Sequence, residues 1–74
     1  MTIDFLIRGE HIQLDQLLKA TGLVSSGGAA HAAIEAGAVQ VDGTVETRKR
    51  AKLRTGQRVE YGGQVVVLAT APQA

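Results

Sequence analysis

Apolar residues change their spacing several times along the chain, and each change marks an element. Ile3, Phe5 and Ile7 recur at every second position around Asp4 and Leu6 until Gly9, which predicts a strand over residues 2–8. Leu14, Leu17, Leu18 and Thr21 then fall at the i, i+3, i+4, i+7 spacing of one helical face. Asp15 suits the positive end of that helix, Gly22 its left-handed stop, and Leu23 an apolar closing contact, so the helix is expected over 13–21. The serines of Ser25-Ser26-Gly27-Gly28 can cap a second helix. Its alanine-rich body ends at Gly37, giving a range of 27–36, with Ile34, Ala30 and Ala33 as a narrow buried stripe.

After Gly37 the period shortens to two. Val39, Val41 and Val45 flank Asp42-Gly43, a hairpin signal over 38–47. Val59 and Tyr61 lead through Gly62-Gly63 into Val65-Val66-Val67-Leu68, a second hairpin over 57–68. The expected fold is α+β, two short helices on a mostly antiparallel sheet of four to five strands closed by the N-terminal strand. Thr70 to Ala74, with the sole proline Pro72, carry no apolar face and are expected to fray. One domain over residues 1–69 accounts for the whole pattern.

Composition narrows the core and the chemistry. Of 74 residues, 45% are hydrophobic, yet Phe5 and Tyr61 are the only aromatics, so the core must be small and aliphatic. With no cysteine there is neither a disulfide nor a thiolate metal ligand. No stretch approaches about 18 consecutive apolar residues, and the start lacks a basic leader before an apolar run, so cytoplasmic residence without membrane insertion is the expectation.

The net charge of +1 conceals a strong asymmetry. Residues 48–58, Arg-Lys-Arg-Ala-Lys-Leu-Arg-Thr-Gly-Gln-Arg, hold six of the eight lysines and arginines and no acidic residue. Such a segment is either a solvated face or the footprint of a polyanion, and nucleic acid is the commonest extended polyanion. A strand would place Arg48, Arg50, Lys52 and Arg54 on one side and Lys49 with Leu53 on the other; an irregular loop would break that parity. Arg48 and Arg50 are the leading phosphate ligands because a guanidinium makes two-point contacts. Lys49 and Lys52 suit looser contacts, and Arg58 is expected to pair with Glu60 or Glu46.

The order of helix, Ser-Gly turn, helix, Val-x-Val-Asp-Gly hairpin and basic segment resembles the alpha-L RNA-binding domain, named after the small-subunit ribosomal protein S-four. The resemblance covers about residues 11–68 and rests on Ile12-Gln13-Leu14-Asp15-Gln16-Leu17-Leu18, on Ala36 to Gly43, and on Leu53 to Val59. Ser26-Gly27-Gly28, Val41-Asp42-Gly43 and Val45 to Arg50 are most similar to its small stand-alone bacterial YbcJ-like members. It implies the alpha-L fold, a non-catalytic role, and RNA contacts at the start of the second helix and at the basic hairpin, which would lie side by side. The working context it implies is the ribosome or RNA processing, with structured ribosomal or transfer RNA as ligand.

That family usually carries an arginine and a hydroxyl residue where this chain has Gly27 and Gly28. Two readings of the turn therefore stand. Open backbone N–H groups at a helix start can receive a phosphate, with Ser26 adding a hydroxyl; alternatively the serine only caps and the glycines only turn. His31 is either a surface side chain or a further RNA contact, and Tyr61 more often covers a core edge than stacks on a base. His11 has no partner at metal-site spacing, no phosphate-loop pattern ending in Gly-Lys-Ser/Thr is present, and the carboxylates are scattered, so no catalytic residue, metal or cofactor is assigned. A module that binds an acidic protein is the alternative function, because Coulomb attraction does not distinguish phosphate from carboxylate. A monomer is expected, and the edge of the N-terminal strand is where a dimer would form.

Overall fold

The computed structural model describes residues 2–70. It contains strands β1 (Thr2–Ile7) and β2 (Ile12–Gln13), helices α1 (Leu14–Ala20) and α2 (Gly27–Glu35), and strands β3 (Gln40–Val41), β4 (Thr44–Val45), β5 (Lys52–Leu53), β6 (Arg58–Tyr61) and β7 (Gln64–Thr70). Five of the strands form one sheet in the order β1-β7-β6-β3-β4, and β2 pairs with β5 as a separate two-stranded ribbon. The β3–β4, β3–β6 and β6–β7 pairs are antiparallel, whereas β1 lies parallel to β7. The parallel pair is possible because the entire helical layer separates β1 from β7 in sequence, giving the long crossover that parallel strands need.

Both hairpins turn on two residues with positive φ, Asp42 (52°) with Gly43 (82°) and Gly62 (60°) with Gly63 (79°). That is the geometry whose twist matches paired strands. The first hairpin is shorter than its valine pattern suggests, because only two residues on each side pair. Thr70 departs from the expected tail: it is the last residue of β7, sits opposite Ile7, and its hydroxyl bonds that of Thr55. Backbone pairing with β1 orders a residue that has no apolar face of its own. The remainder of the expected tail, 71–74, lies outside the described residues.

Val41, Val59, Val66 and Ile3 form one cross-strand row facing the helices, and Gln40, Glu60, Val65 and Thr2 form the next row on the opposite face. Leu14, Leu17 and Leu18 of α1 and Ala30 and Ile34 of α2 close over the first row. The buried core comprises twelve aliphatic side chains and no aromatic, and Tyr61 packs against its margin. The Thr21 hydroxyl donates to Leu17 O (2.9 Å), and past the last helical residue, Ala20, the chain turns at Gly22 so that Val24 N–H reaches back to Leu18 O (3.2 Å). No helix among the described residues is long and apolar enough to cross a membrane.

Candidate nucleic-acid interface

The cationic segment starts where β4 leaves the sheet. Glu46 N–H donates to Val39 O (3.0 Å), and the Glu46 carboxylate then accepts from Arg48 Nη2 (3.0 Å), Nε (3.1 Å) and backbone N–H (3.1 Å). This two-point fork occupies the guanidinium that the sequence marks as a leading ligand. Its effect is mutual: hydrogen bonding and charge hold the Glu46 carboxyl below its usual range and raise Arg48. Arg58 does not take the Glu46 or Glu60 partner expected of it; its backbone N–H donates to Asp42 Oδ1 (2.9 Å).

Residues 48–51 form a turn, closed by Ala51 N–H to Arg48 O (3.1 Å), so strict strand parity fails there and Arg48, Lys49 and Arg50 are all exposed. From Ala51 onward the alternation resumes. Ala51 and Leu53 enter the core, while Lys52 and Arg54 point to solvent. The two apolar residues embedded in the basic run are therefore its anchors.

The turn is clamped to the start of α1. Gln13, the residue before that helix, gives no side-chain cap. Carbonyl groups of the basic segment satisfy the free donors instead, with Leu14 N–H bonding Ala51 O (2.9 Å) and Asp15 N–H bonding Lys49 O (3.0 Å). Pairing of Ile12 with Leu53 and of Gln13 with Lys52 extends the clamp. The cations are thus displayed from fixed backbone.

Helix α2 meets this unit along one face. Lys19 lies against Gly27, within 3.9 Å of where a β-carbon would stand; His31 Nε2 donates to Asp15 Oδ2 (3.0 Å); and Lys49 Nζ pairs with Glu35 at 3.8 Å. The three α2 positions are spaced by four residues, so they share a side of the helix. Because α1 runs antiparallel to α2, the basic segment sits beside the start of α1 and the C-terminal turn of α2. Contrary to what the family resemblance implies, it does not adjoin the start of α2; Gly27 and Glu35 are separated by eight residues, about 12 Å of helix rise.

At that far end Ser26 Oγ accepts Ala29 N–H (3.1 Å) and so caps α2. Among the described residues, the N–H groups of Gly27 and Gly28 have no acceptor. Neither glycine has positive φ, and a β-carbon at Gly28 would meet nothing closer than Ser26 Oγ at 3.9 Å. The backbone conformation would accept a side chain at either place.

Arg50, Lys52 and Arg54 are exposed and have no ion pair among the described residues, whereas Arg48 and Lys49 each have a carboxylate partner. Asp15 is partly buried, bonded to His31 and within reach of the Arg50 charge. Burial pushes its pKa up, but the His31 hydrogen bond, the Gln16 N–H and the charges of His31 and Arg50 outweigh burial and leave it below its ordinary value. A carboxyl whose folded pKa is depressed contributes stability above its unfolded pKa and loses that contribution as pH falls through the folded value. Stability is therefore expected to decline below about pH 4, and Asp15→Asn to flatten the decline in melts recorded from pH 5 down to pH 2. An equally steep decline in that variant would place the acid-labile interaction elsewhere.

Sequence reasoning missed the acidic partners of the site. Glu46 was the visible one, two residues before Arg48 on the same segment; the Asp15–His31 contact joins different helices and has no local signal.

The S4 domain family model matches residues 5–69, which takes in both helices, the basic segment and all but the end of β7. "Putative RNA-binding protein YbcJ" of Escherichia coli (strain K12) is 50% identical over 56 residues, 76% of this chain and 80% of that protein. "Uncharacterized protein YbcJ" of Shigella flexneri matches with the same identity and coverage. The solution structure of YbcJ from E. coli, described as revealing an alpha-L motif involved in RNA-binding, superimposes with a TM-score of 0.68 at 43% identity, covering 93% of this chain and 86% of that one. Sequence match and superposition both span the two helices with the strands that clamp them: the chain belongs to the S4 domain family.

Proposed function

We propose that this chain is a non-catalytic RNA-binding module that grips the phosphate backbone of a structured RNA. The observation that carries the proposal is the backbone-clamped loop, which holds Arg50, Lys52 and Arg54 in solvent without a direct ion pair among the described residues while Ala51 and Leu53 anchor it. Because the backbone is already fixed, only side-chain freedom is lost when a phosphate arrives. Arg48 and Lys49 join by exchanging Glu46 and Glu35 for phosphate. The start of α2 supplies a second contact through the free N–H groups of Gly27 and Gly28, with the hydroxyl proton of Ser26 still available for donation. His31 stands between the two ends. The similar YbcJ proteins of Escherichia coli are named for RNA binding, and the lack of an aromatic platform favours folded RNA over splayed single strands. Ribosomal or transfer RNA in the cytoplasm, in ribosome assembly or RNA processing, is the working context, and one chain suffices to build the site.

Backbone contacts position a protein without reading sequence. Three to five neutralised phosphates give a log-affinity against log-salt slope of roughly −2 to −4.5. Titration of ribosomal RNA, transfer RNA and an acidic protein at matched salt tests this. RNA binding with that slope and a base preference below about a thousandfold supports the reading; equal affinity for the acidic protein would reassign the loop to protein interaction.

A further inference from the structure

The sheet has two edges of unequal character. β4 contributes only two residues, but β1 is six residues long and, among the described residues, pairs with β7 alone. Half of its backbone N–H and C=O groups therefore face away from the sheet with no strand to receive them, and an edge of this length is a template for another strand. Leu6 lies on the side of β1 turned away from the helices and, at 51%, is the more exposed of the two large apolar residues that stand in solvent. Among the described residues no strand covers this edge. A groove of about 300 Å³ opens beside its C-terminal half, lined by Phe5, Leu6, Arg8, His11, Ile12 and Gln16.

We propose that β1 pairs with β1 of a second copy, antiparallel about a two-fold axis at Leu6, as a weak and reversible dimer. Charge complementarity selects both the occupant and the register. A two-fold axis perpendicular to the sheet keeps outer face beside outer face, so it must pass between two copies of the same residue. Centred on Asp4, the pairing sets like carboxylates opposite each other, which is destabilising. Centred on Phe5, it places Asp4 against Leu6 and satisfies neither. Centred on Leu6, it sets leucine against leucine and Asp4 against Arg8 of the second copy, twice. Asp4 and Arg8 are the only charges in residues 2–8, and this register alone pairs both.

Three residue pairs within β1, Phe5 to Ile7, flanked on each side by Asp4 opposite Arg8 just beyond the strand, bury less than the ~1,200 Å² of a stable interface, so the dissociation constant is expected on the order of 0.1–1 mM. The chain is then a monomer at the concentrations used for RNA titration, and the two properties are measured separately.

The chain has no cysteine, so single cysteines report proximity cleanly. Directly opposed β-carbons lie about 4.5–5.5 Å apart, within small adjustment of disulfide geometry. Under mild oxidation Leu6→Cys is expected to form covalent dimer at least about tenfold faster than Val45→Cys, which is comparably exposed (49%) at the other edge, and faster than Thr2→Cys on the same strand. Equal rates would overturn the proposal. Without crosslinking, sedimentation equilibrium at about 1 mM is expected to show Asp4→Arg weakening association about fivefold and Asp4→Arg with Arg8→Asp restoring it, consistent with two exposed charge pairs. A wild-type chain that stays monomeric at that concentration, or a double variant that fails to recover, would also overturn it. If Asp4→Arg does not fold, Arg8→Asp serves as the single variant with the same two outcomes.

Discussion

Leu17→Ala is expected to bring the chain to the edge of unfolding. Leu17 is fully buried in a core of twelve aliphatic side chains. Removing the outer carbons of a buried leucine costs about 2–5 kcal/mol, as lost transfer energy plus the cavity left behind. A chain of this size has only ~4–11 kcal/mol of total stability at ordinary values per residue. Collapse around the cavity is limited, because the facing helix offers Ala30 and Ala33, which have no side chain long enough to swing inward. With a urea dependence of about 1 kcal/mol per molar for so small a protein, the denaturation midpoint should fall by roughly 2–5 M. Leu6→Ala, on an exposed position of β1, is the control and should change stability by no more than about 0.5 kcal/mol. A shift below about 0.5 M for Leu17→Ala would mean that α1 is held by something other than its leucine face.

What the sequence made legible follows from how local each signal is. Leucines at 14, 17 and 18 sit on one side of a helix whatever the rest of the chain does, and Asp42-Gly43 turns a hairpin wherever that hairpin packs; both are present as expected. The parallel union of β1 with β7 joins Thr2 to Val65 and left no local trace beyond two apolar strands. The basic segment shows the boundary most clearly. Its cations were obvious, and the alternation of Ala51 and Leu53 with Lys52 and Arg54 was readable as buried against exposed. Where the segment docks was not readable, because its carbonyl groups bind the N–H groups of Leu14 and Asp15, and backbone bonds carry no side-chain signature. The absence of a capping side chain at Gln13 was the one available hint. A helix start with no cap of its own needs acceptors from elsewhere, and the exposed turn of the basic run supplied them.

That docking changes which residues should matter most for RNA. Arg50→Ala with Lys52→Ala removes two exposed cations that make no direct ion pair among the described residues, so little more than the distant attraction of Arg50 to Asp15 offsets their interaction with phosphate. Affinity for a structured RNA at about 0.1 M salt is expected to fall roughly 10–100-fold, with the salt slope shallower by about 1.4–1.8 for two phosphates released. The melting temperature should barely move, since surface charges contribute about 0–1 kcal/mol each. Arg48→Ala should weaken binding less than Arg50→Ala. The Arg48 guanidinium must first leave Glu46, so part of its attraction to phosphate is offset by breaking that fork. Glu46→Gln is the complementary variant: it frees Arg48 and is expected to strengthen binding. Gly28→Asp addresses the other end of α2, where a carboxylate suits the helix dipole but opposes phosphate. It should preserve the fold while reducing RNA affinity, and unchanged affinity would confine the site to the clamped loop. If Arg48→Ala instead proved as damaging as the Arg50 and Lys52 pair, the fork with Glu46 would have to open in the free protein, and exposure rather than pairing would decide which cations bind.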